Sequence, residues 1–342
     1  MKKNIVTIVV ALCLIVAGAA LAGAALVAVD FRFGEFSGAD YERNSYVIEG
    51  DIGEIGISAG DYNVTLLPSS DGICRIEVDE SEKFKLRYHF EEDHLEIKIV
   101  DNRKWYDYLG IFSSEADLVL YLPAEEYEIL SVATRTGDVK VSEDFSFGIA
   151  AVAASTGDIN FAAKVSGDLS LSCVTGDISV CDIELENLSA SVTTGNIVLE
   201  NIKASETISL SCDTGKIEVH GSEAGDIESE GTTGDILLKY VTVEGQVKIE
   251  RSTGDVTLTS VVAGSFDILT DTGDVKLNLS DAETINIETD TGRVEGSLLS
   301  EKIFKCESST GSVKVPDTHS GGTCKITTST GNIHITVSED KK

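Results

Sequence analysis

The stretch "DTGDVKL" at residues 271–277 is one copy of a turn that recurs through the second half of the chain. Close copies are "STGDVTL" at 252–258 and "VTGDISV" at 174–180. The Thr-Gly pair occurs eleven times, at steps of 19 or 20 residues. A fixed period of this length is typical of a solenoid, in which each coil packs on the previous one. The eleven glycines are Gly137, Gly157, Gly176, Gly195, Gly215, Gly234, Gly254, Gly273, Gly292, Gly311 and Gly331.

The residues around each glycine alternate between apolar and polar. Val256 and Leu258 stand two and four residues after Gly254, with Thr257 between them. Leu169 and Leu171 show the same alternation before Gly176. A period of two indicates strands with one buried face. No intervening segment is long enough for a crossover helix, so α/β and leucine-rich folds are disfavoured.

The repeat therefore predicts an all-β, single-chain parallel β-solenoid of about eleven coils, each with at least two short strands. Stacking at about 4.8 Å per coil would give a rod of roughly 50 Å. Right-handed winding is expected because strand twist favours that hand in parallel connections.

The turn itself predicts a structural role for its Thr and Gly residues. Glycine is suited to a left-handed backbone or to a corner with no room for a Cβ, and the Thr hydroxyl can bond neighbouring backbone groups. The structural residues predicted from the clearest copies are Thr136, Gly137, Thr156, Gly157, Thr175, Gly176, Thr253, Gly254, Thr272 and Gly273.

An aspartate follows the glycine in only six of the eleven copies. The favoured interpretation is an Asp that hydrogen-bonds its own backbone in the turn. The alternative is a calcium ladder, with Asp235, Asp255 and Asp274 as weak candidate ligands. Lys216 and Arg293 interrupt the column, and one Asp per coil supplies few oxygens for Ca²⁺. The Asp column is therefore predicted to stabilise the turn rather than to bind a metal ion.

Composition excludes several classes of function. The formal net charge of −31 disfavours nucleic acid and anionic lipid or polyuronate ligands. The seven cysteines form no C-x-x-C pair and there are only five histidines, so no zinc-type spacing exists. Cys173 and Cys212 are predicted to lie two coils apart in one inward column, and Cys306 and Cys324 in neighbouring coils but offset. We expect free thiols, no metal and no cofactor.

The N-terminus predicts a membrane anchor. The run from Ile5 to Val29 carries no charged residue and is long enough to cross a bilayer as a helix. A cleavable signal peptide, the alternative interpretation, usually has a shorter apolar region. Lys2 and Lys3 would stay cytoplasmic, so the chain is expected to be a single-pass membrane protein with its C-terminal domain outside.

The remaining chain divides by its relation to the period. Residues 1–29 are the predicted anchor and residues 30–43 a linker. Residues 44–130 form strands that do not follow the period and are expected to cap the open end of the solenoid. The "SAGD" at 58–61 and "EAGD" at 223–226 look like relatives of the turn. Residues 131–337 are the solenoid, and its last coil is expected to end at an edge guarded by the charged tail, 338–342.

One aromatic-rich segment, "RKWYDYLGIF" at 103–112, is a candidate binding loop. Aromatic rings provide contact area with a polar handle, although they could equally close the core of the cap. The possible binding residues are Trp105, Tyr106, Tyr108 and Phe112.

With its apolar N-terminus, "LPSSDG", "YLP" and the "TGD[IV]" coils, the chain resembles the DUF4097 family of candidate adhesins, common in bacterial envelopes. The resemblance covers residues 44–337 and implies a β-solenoid ectodomain with no established catalytic residues. It also implies a link, in some members, to adhesion or envelope stress.

The function expected first is a non-enzymatic, membrane-anchored module that binds an envelope protein or glycan, or acts as a scaffold. Acidic rows, with Glu230, Glu250, Glu288 and Glu307 four before their glycines, favour a cationic or cation-bridged partner. One alternative is an envelope-stress sensor with a membrane partner. Another is a polysaccharide lyase or glycosidase, which would need clustered acid and base groups; no such cluster is evident in sequence.

Overall fold

The computed structural model describes residues 41–103 and 116–338, and every regular element in these ranges is a β-strand. The strands are β1 (Glu42–Ile48), β2 (Glu54–Gly60), β3 (Asn63–Pro68), β4 (Cys74–Glu80), β5 (Phe84–Glu91), β6 (His94–Asp101), β7 (Asp117–Leu122), β8 (Glu126–Thr136), β9 (Val139–Val141), β10 (Ser146–Thr156), β11 (Ile159–Phe161), β12 (Lys164–Val165), β13 (Asp168–Thr175), β14 (Ile178–Cys181), β15 (Glu184–Leu185), β16 (Asn187–Thr194), β17 (Ile197–Glu200), β18 (Lys203–Thr214), β19 (Ile217–His220), β20 (Glu223–Thr233), β21 (Ile236–Val243), β22 (Gln246–Thr253), β23 (Val256–Thr272), β24 (Val275–Asn278), β25 (Asp281–Thr291), β26 (Val294–Leu298), β27 (Lys302–Thr310), β28 (Val313–Lys314), β29 (Gly322–Thr330) and β30 (Ile333–Val337).

The predicted parallel β-solenoid is confirmed, with about ten turns. Two coils contain three separate strands rather than the minimum of two, and in other coils the middle segment is continuous with the long strand, as at β10, β18 and β20. In one coil the three strands are the short β11, the two-residue β12 and the long β13. β11 and β13 pair in parallel with β14 and β16 of the next coil, and β12 pairs in parallel with the first residues of β10 in the previous coil. The solenoid is therefore three-sided, with its widest side built from the long strands.

The interior is a set of stacked apolar columns. Leu169, Leu188 and Ile208 are in register on successive long strands, and all three are almost completely buried. Cys173 and Cys212 lie in one inward column with Val192 between them, as predicted. All six cysteines in the described residues are free thiols. Cys306 is in register with Ile326, so it is offset from Cys324 on the neighbouring strand.

A second corner, six residues after the glycine, also uses left-handed backbone but has no glycine signature. Successive coils place Asp182, Asn201, Tyr240, Ser260 and Leu279 there, with φ between 50° and 57°. Glycine occurs once in this column, as Gly221, at φ 61°. Non-glycine residues are sterically strained in this region of φ. The repeat motif gives no sign of this strain, because the column has no glycine signature.

We expect Leu279→Gly to raise the free energy of unfolding by about 1 kcal/mol, because glycine removes the Cβ penalty at φ 50°. Chemical denaturation measures the change. Leu269, an equally exposed leucine inside β23, is the matched control, and Leu269→Gly should instead destabilise by about 0.5–1 kcal/mol. Equal destabilisation by both variants would show that the corner is not strained.

At the N-terminal end the first strands stack on the coils. β2 and β3 pair in parallel with β8 and β9. β6 and β7 pair in parallel with the outer edges of β2 and β3. The turn formed by β2 and β3 therefore lies next to the coils, and β6 and β7, which come later in the chain, lie outside it. β5, β4 and β1 then add antiparallel strands over this end, which closes its open edge.

The C-terminal end has the same inversion, which corrects the expected order of the last coils. β25 pairs with β29 rather than with the next long strand in sequence, β27, and β29 then pairs with β27. The last coil is thus inserted between two earlier ones. The strand Ile333–Val337 is paired on both edges by β26 and β28, so it is not an edge strand, and within the described residues the terminal edge belongs to β27 and β28.

Three predicted regions lie outside the described residues: the anchor at 1–29 with most of its linker, the charged tail beyond residue 338, and the aromatic loop with Trp105, Tyr106, Tyr108 and Phe112. Within residues 41–103 and 116–338, no helix has the length and apolar character needed to cross a membrane.

Candidate functional site

The corner glycines stack directly on one another. The amide of Gly195 donates to the Thr214 carbonyl of the next coil at 3.0 Å. A Cβ on Gly195 would overlap the carbonyl oxygen of Gly176 in the previous coil. Backbone contact between coils therefore requires glycine at this corner. The Thr column beside it is exposed along the rod.

The aspartate of the turn bonds the next coil, not its own backbone. Asp158 Oδ1 accepts from the amide of Asp177 at 2.8 Å, and Asp177 Oδ1 accepts from the amide of Asn196 at 2.7 Å. Asn196 continues the ladder by accepting from the amide of Lys216 at 3.0 Å. A lysine side chain has no acceptor, so Lys216 ends this run.

The calcium candidates belong to a second run of the same ladder. Asp235 accepts from the Asp255 amide, Asp255 from the Asp274 amide and Asp274 from the Arg293 amide, at 3.1, 2.8 and 2.8 Å. Arg293 also forms an ion pair with Asp274 at 2.9 Å. Each carboxylate thus has one oxygen committed to a structural bond, and calcium binding by the column stays a hypothesis.

We expect Lys216→Asn to stabilise the chain by about 0.5–1 kcal/mol, because the amide oxygen can accept from the Asp235 amide and join the two runs. Asn196→Lys, which would open a new gap in the ladder, should cost a similar amount. Thermal and urea unfolding of the pair measure both signs. If Lys216→Asn does not stabilise the chain and Asn196→Lys costs nothing, the ladder bonds contribute nothing.

The corner nearest the cap is built from residues that sequence reasoning missed. Asn63 Oδ1 accepts from the Asp138 amide at 3.0 Å, which is the ladder bond, and the Tyr62 carbonyl lies where a Cβ on Gly137 would fall. The "SAGD" at 58–61 is therefore displaced from the corner. The "EAGD" at 223–226 lies within β20 and is no corner turn either. The only sequence signal for this first corner is a buried tyrosine, Tyr62, followed by an amide side chain, Asn63.

Asp61 instead joins the cap strands to the first coil. Its carboxylate accepts from Arg135 Nε at 2.7 Å, from Thr136 Oγ1 at 2.9 Å and from Arg103 Nη2 at 2.7 Å. Partial burial by itself would raise the pKa of Asp61, but the bonds from Arg135, Thr136 and Arg103 together lower it below its usual value. The ionised carboxylate thus stabilises the folded state.

Because the folded-state pKa of Asp61 is depressed, its contribution is present above the unfolded pKa of about 3.9 and is lost as pH falls through the folded value. We expect Asp61→Asn to cost about 1–2 kcal/mol at pH 7 and progressively less below about pH 4. Denaturation at several pH values tests this. Glu184→Gln, at an exposed ion pair with Lys203, should change little at any pH. A pH-independent cost for Asp61→Asn would contradict the argument.

The long-strand side carries a surface without charge or bulk, which we call the smooth patch. It consists of the outward residues six and four before the glycine on five neighbouring strands, β8, β10, β13, β16 and β18. Nine of the ten are exposed, and Ser211 is half-exposed. They are Ser131, Ala133, Ala151, Ala153, Ser170, Ser172, Ser189, Ser191, Ser209 and Ser211.

The geometry of the coil does not force these positions to be small. On β20 and β22 the same two columns hold Glu228, Glu230, Lys248 and Glu250. A chain with 25% charged residues and a net charge of −31 nevertheless has none among the ten. The smooth patch is therefore a property of this sequence rather than of the fold.

Beyond the smooth patch lies an acidic groove of about 340 Å³, lined by Asp213, Glu230, Glu250 and Asp271. Arg251 also lines it, and is 3% exposed. Its Nη1 donates to the Cys212 carbonyl at 2.6 Å, two coils away, because the intervening Gly231 has no side chain. Burial lowers the pKa of Arg251.

The acidic row predicted from sequence is only partly continuous. Glu230 and Glu250 are neighbours, but Leu269 separates them from Glu288. Thr327, from the inserted coil, separates Glu288 from Glu307. Among residues 41–103 and 116–338, no group of three or more His, Cys, Asp or Glu side chains is placed to hold a metal ion.

These features define the class of protein: a three-sided parallel β-solenoid with inserted coils at both ends and a broad, two-part outer face. The chain belongs to the Toastrack DUF4097 family, whose sequence model matches residues 52–260 and 245–342. A search of curated proteins found no relative of the chain.

Solved structures show distant likeness only. A candidate lipid binding protein from Parabacteroides distasonis ATCC 8503 is 16% identical, with a TM-score of 0.44, and the match covers 73% of this chain and 98% of that one. A candidate adhesin from Bacteroides fragilis NCTC 9343 is 11% identical (TM-score 0.33; 88% and 100% covered). A candidate cell adhesion protein from Clostridium sporogenes ATCC 15579 is 10% identical (TM-score 0.25; 87% and 100% covered). With TM-scores below 0.5, these structures carry no argument about function here.

Proposed function

We propose that this chain is a non-enzymatic binding module of the cell envelope, held to the membrane by residues 1–29, with the long-strand side as its binding surface. The observation that carries the proposal is the smooth patch. It is exposed and free of charge over five coils, in a chain that is strongly acidic elsewhere.

Physical chemistry supports this surface over the other sides. Binding surfaces avoid charge at their centre because desolvating an unpaired charge is costly. Short Ser and Ala side chains lose little conformational entropy when covered. The neighbouring acidic groove supplies a polar border of the kind found at the rim of an interface. An extended solenoid side of this type suits a macromolecular partner, either a protein or a glycan of the envelope.

The proposal is tested by adding one charge to the smooth patch. Ser191→Arg places a guanidinium on the strand next to its central strand, and Ser179→Arg places one on the short-strand side, where Ser179 is half-exposed on β14. Full-length protein is presented to envelope fractions from cells that make it and from cells that do not, and retention is measured. We expect saturable binding that Ser191→Arg weakens at least tenfold, an effect that Ser179→Arg does not produce. Binding equally sensitive to both variants, or to neither, would refute the proposal.

A further inference from the structure

Charged residues of opposite sign stand at equal distances beyond the two ends of the smooth patch. The long strands follow the order β6, β2, β8, β10, β13, β16, β18, β20, β22, so β13 is central, with four strands on each side. Exposed Glu96 and Lys98 stand on β6, and half-exposed Lys248 and exposed Glu250 stand on β22. Lys248 and Glu250 also pair with each other at 2.8 Å within the chain.

Lys98 and Glu250 belong to the same column, which runs between them through Ser172. Glu96 and Lys248 share the other column of the patch by the same pairings. A third match lies closer to the centre. Arg135 on β8 and Asp213 on β18 are two strands from β13, on opposite sides, and both stand two residues before their glycine.

We propose that the smooth patch binds a second copy of this chain, about a two-fold axis that runs along β13. A half-turn about an axis parallel to the strand keeps each column in place and reverses the order of the strands. Lys98 then faces Glu250 of the second copy, Glu96 faces its Lys248, and Arg135 faces its Asp213. The inference rests on the proposed function, because it names the partner of the same surface.

The centre of this interface is self-complementary in shape. Ser172 meets its own counterpart at the axis, as does Val174, whose side chain is 53% exposed in the single chain. Ala133 faces Ser211 and Ala153 faces Ser191 of the second copy, so short side chains meet short ones across the five strands of the patch. One strand further out, Glu228 and Glu230 of β20 face Gly56 and Ser58 of β2. Identical patches that face each other in this way are what a two-fold interface requires.

The area is sufficient for a specific dimer. Nine strands at about 4.8 Å spacing span about 38 Å, and five residues of strand add about 17 Å in the other direction. The product is roughly 650 Å² per copy, or about 1,300 Å² in total, which is within the range of stable interfaces. With short side chains and three kinds of ion pair at the border, a dissociation constant on the order of micromolar is expected.

The axis also fixes the relative direction of the two rods. Reversal of the strand order makes them antiparallel, so their N-terminal ends point away from each other. With each copy anchored through residues 1–29, the pair would connect two facing membranes rather than two sites on one membrane.

The test is sedimentation velocity of the full-length chain in detergent, over concentrations from about 1 to 200 µM, a range chosen to bracket the expected constant. We expect a monomer–dimer equilibrium. Ser172→Arg puts like charges together on the axis and should weaken it more than tenfold, whereas Ser179→Arg should leave it unchanged. Lys98→Glu should weaken it severalfold, and adding Glu250→Lys to that variant should restore it.

Cross-linking fixes the axis independently. Under mild oxidation, Ser172→Cys should form a disulfide with its own counterpart. Ser131→Cys and Ser209→Cys should cross-link to each other when the two variants are mixed, and not to themselves. A monomer over the whole concentration range, or a dimer that Ser172→Arg does not disturb, would overturn the inference. If the chain is monomeric but still binds envelope fractions in a manner sensitive to Ser191→Arg, the self-association fails and the proposed function stands. If neither binding nor dimerisation depends on the patch, both fail.

Discussion

Replacing Asp281 with alanine is expected to lower the free energy of unfolding by about 3–5 kcal/mol, the largest effect of any single polar side chain described here. Lys302 Nζ lies 2.6 Å from Asp281 Oδ1 in a close ion pair whose alignment is not that of a hydrogen bond, and Nζ also donates to Ser300 Oγ at 2.7 Å. The two residues are 3% and 8% exposed. Loss of the carboxylate would leave a buried ammonium without a counter-ion.

This ion pair matters because it spans the inserted coil. Asp281 belongs to β25 and Lys302 to β27, and β29 lies between these strands. Gly322 is the residue of β29 in register with Lys302, and it has no side chain to occupy the space. The pair therefore connects the coils on both sides of the insertion and holds the last coil between them.

Urea denaturation of Asp281→Ala provides the measurement, and Glu184→Ala provides the control. Glu184 pairs with Lys203 at 3.4 Å, but the two side chains are 79% and 56% exposed, so its loss should cost no more than about 1 kcal/mol. Asp281→Leu combined with Lys302→Met removes both charges and should recover most of the loss. A cost below 1 kcal/mol for Asp281→Ala would show that water already solvates the lysine.

The second large effect is expected at a corner glycine. Gly195→Ala should destabilise by about 3–5 kcal/mol, or prevent folding. The residue has φ +142°, where a Cβ is strained, and that Cβ would overlap the Gly176 carbonyl oxygen and lie 3.1 Å from Asp177 Oδ1. Strain of about 1–3 kcal/mol and overpacking of a similar size add together.

Gly72→Ala separates these two causes. Gly72 also has positive φ, +72°, but no atom lies within 4 Å of its Cβ position. Its substitution should cost only about 1 kcal/mol, the conformational part alone. Similar costs for Gly195→Ala and Gly72→Ala, measured by urea denaturation, would mean that neighbouring coils can separate at the corner and that close stacking is not what demands glycine.

The solenoid was predictable because its main corner admits only glycine, so the period is visible in the sequence. The second corner was not, because Leu279 and Tyr240 reach left-handed φ without a residue type that signals it. The order of the last coils was hidden as well. The spacing of Gly292, Gly311 and Gly331 is the same whichever coil pairs with β25. The period of a repeat therefore does not show which strands pair.

The candidate surface was only half recognised. Acidic residues such as Glu230 and Glu250 could be identified from the sequence because they recur at one position of the repeat. The small residues from Ser131 to Ser211 occupy the same columns, but their meaning depends on the register that brings five strands together. Uncharged residues indicate a candidate surface only when the strand register shows that they are neighbours.

Side-chain labelling tests the binding surface most directly. Ser191→Cys and Ser179→Cys each place a thiol, one on the smooth patch and one on the short-strand side, and site-resolved mass spectrometry follows their reaction with a maleimide. When the full-length chain is bound to its partner, whether an envelope fraction or a second copy, the thiol at position 191 should react at least tenfold more slowly and the thiol at position 179 should be unaffected. Equal reactivity at position 191 in the free and bound states would contradict the assignment of the long-strand side as the binding surface.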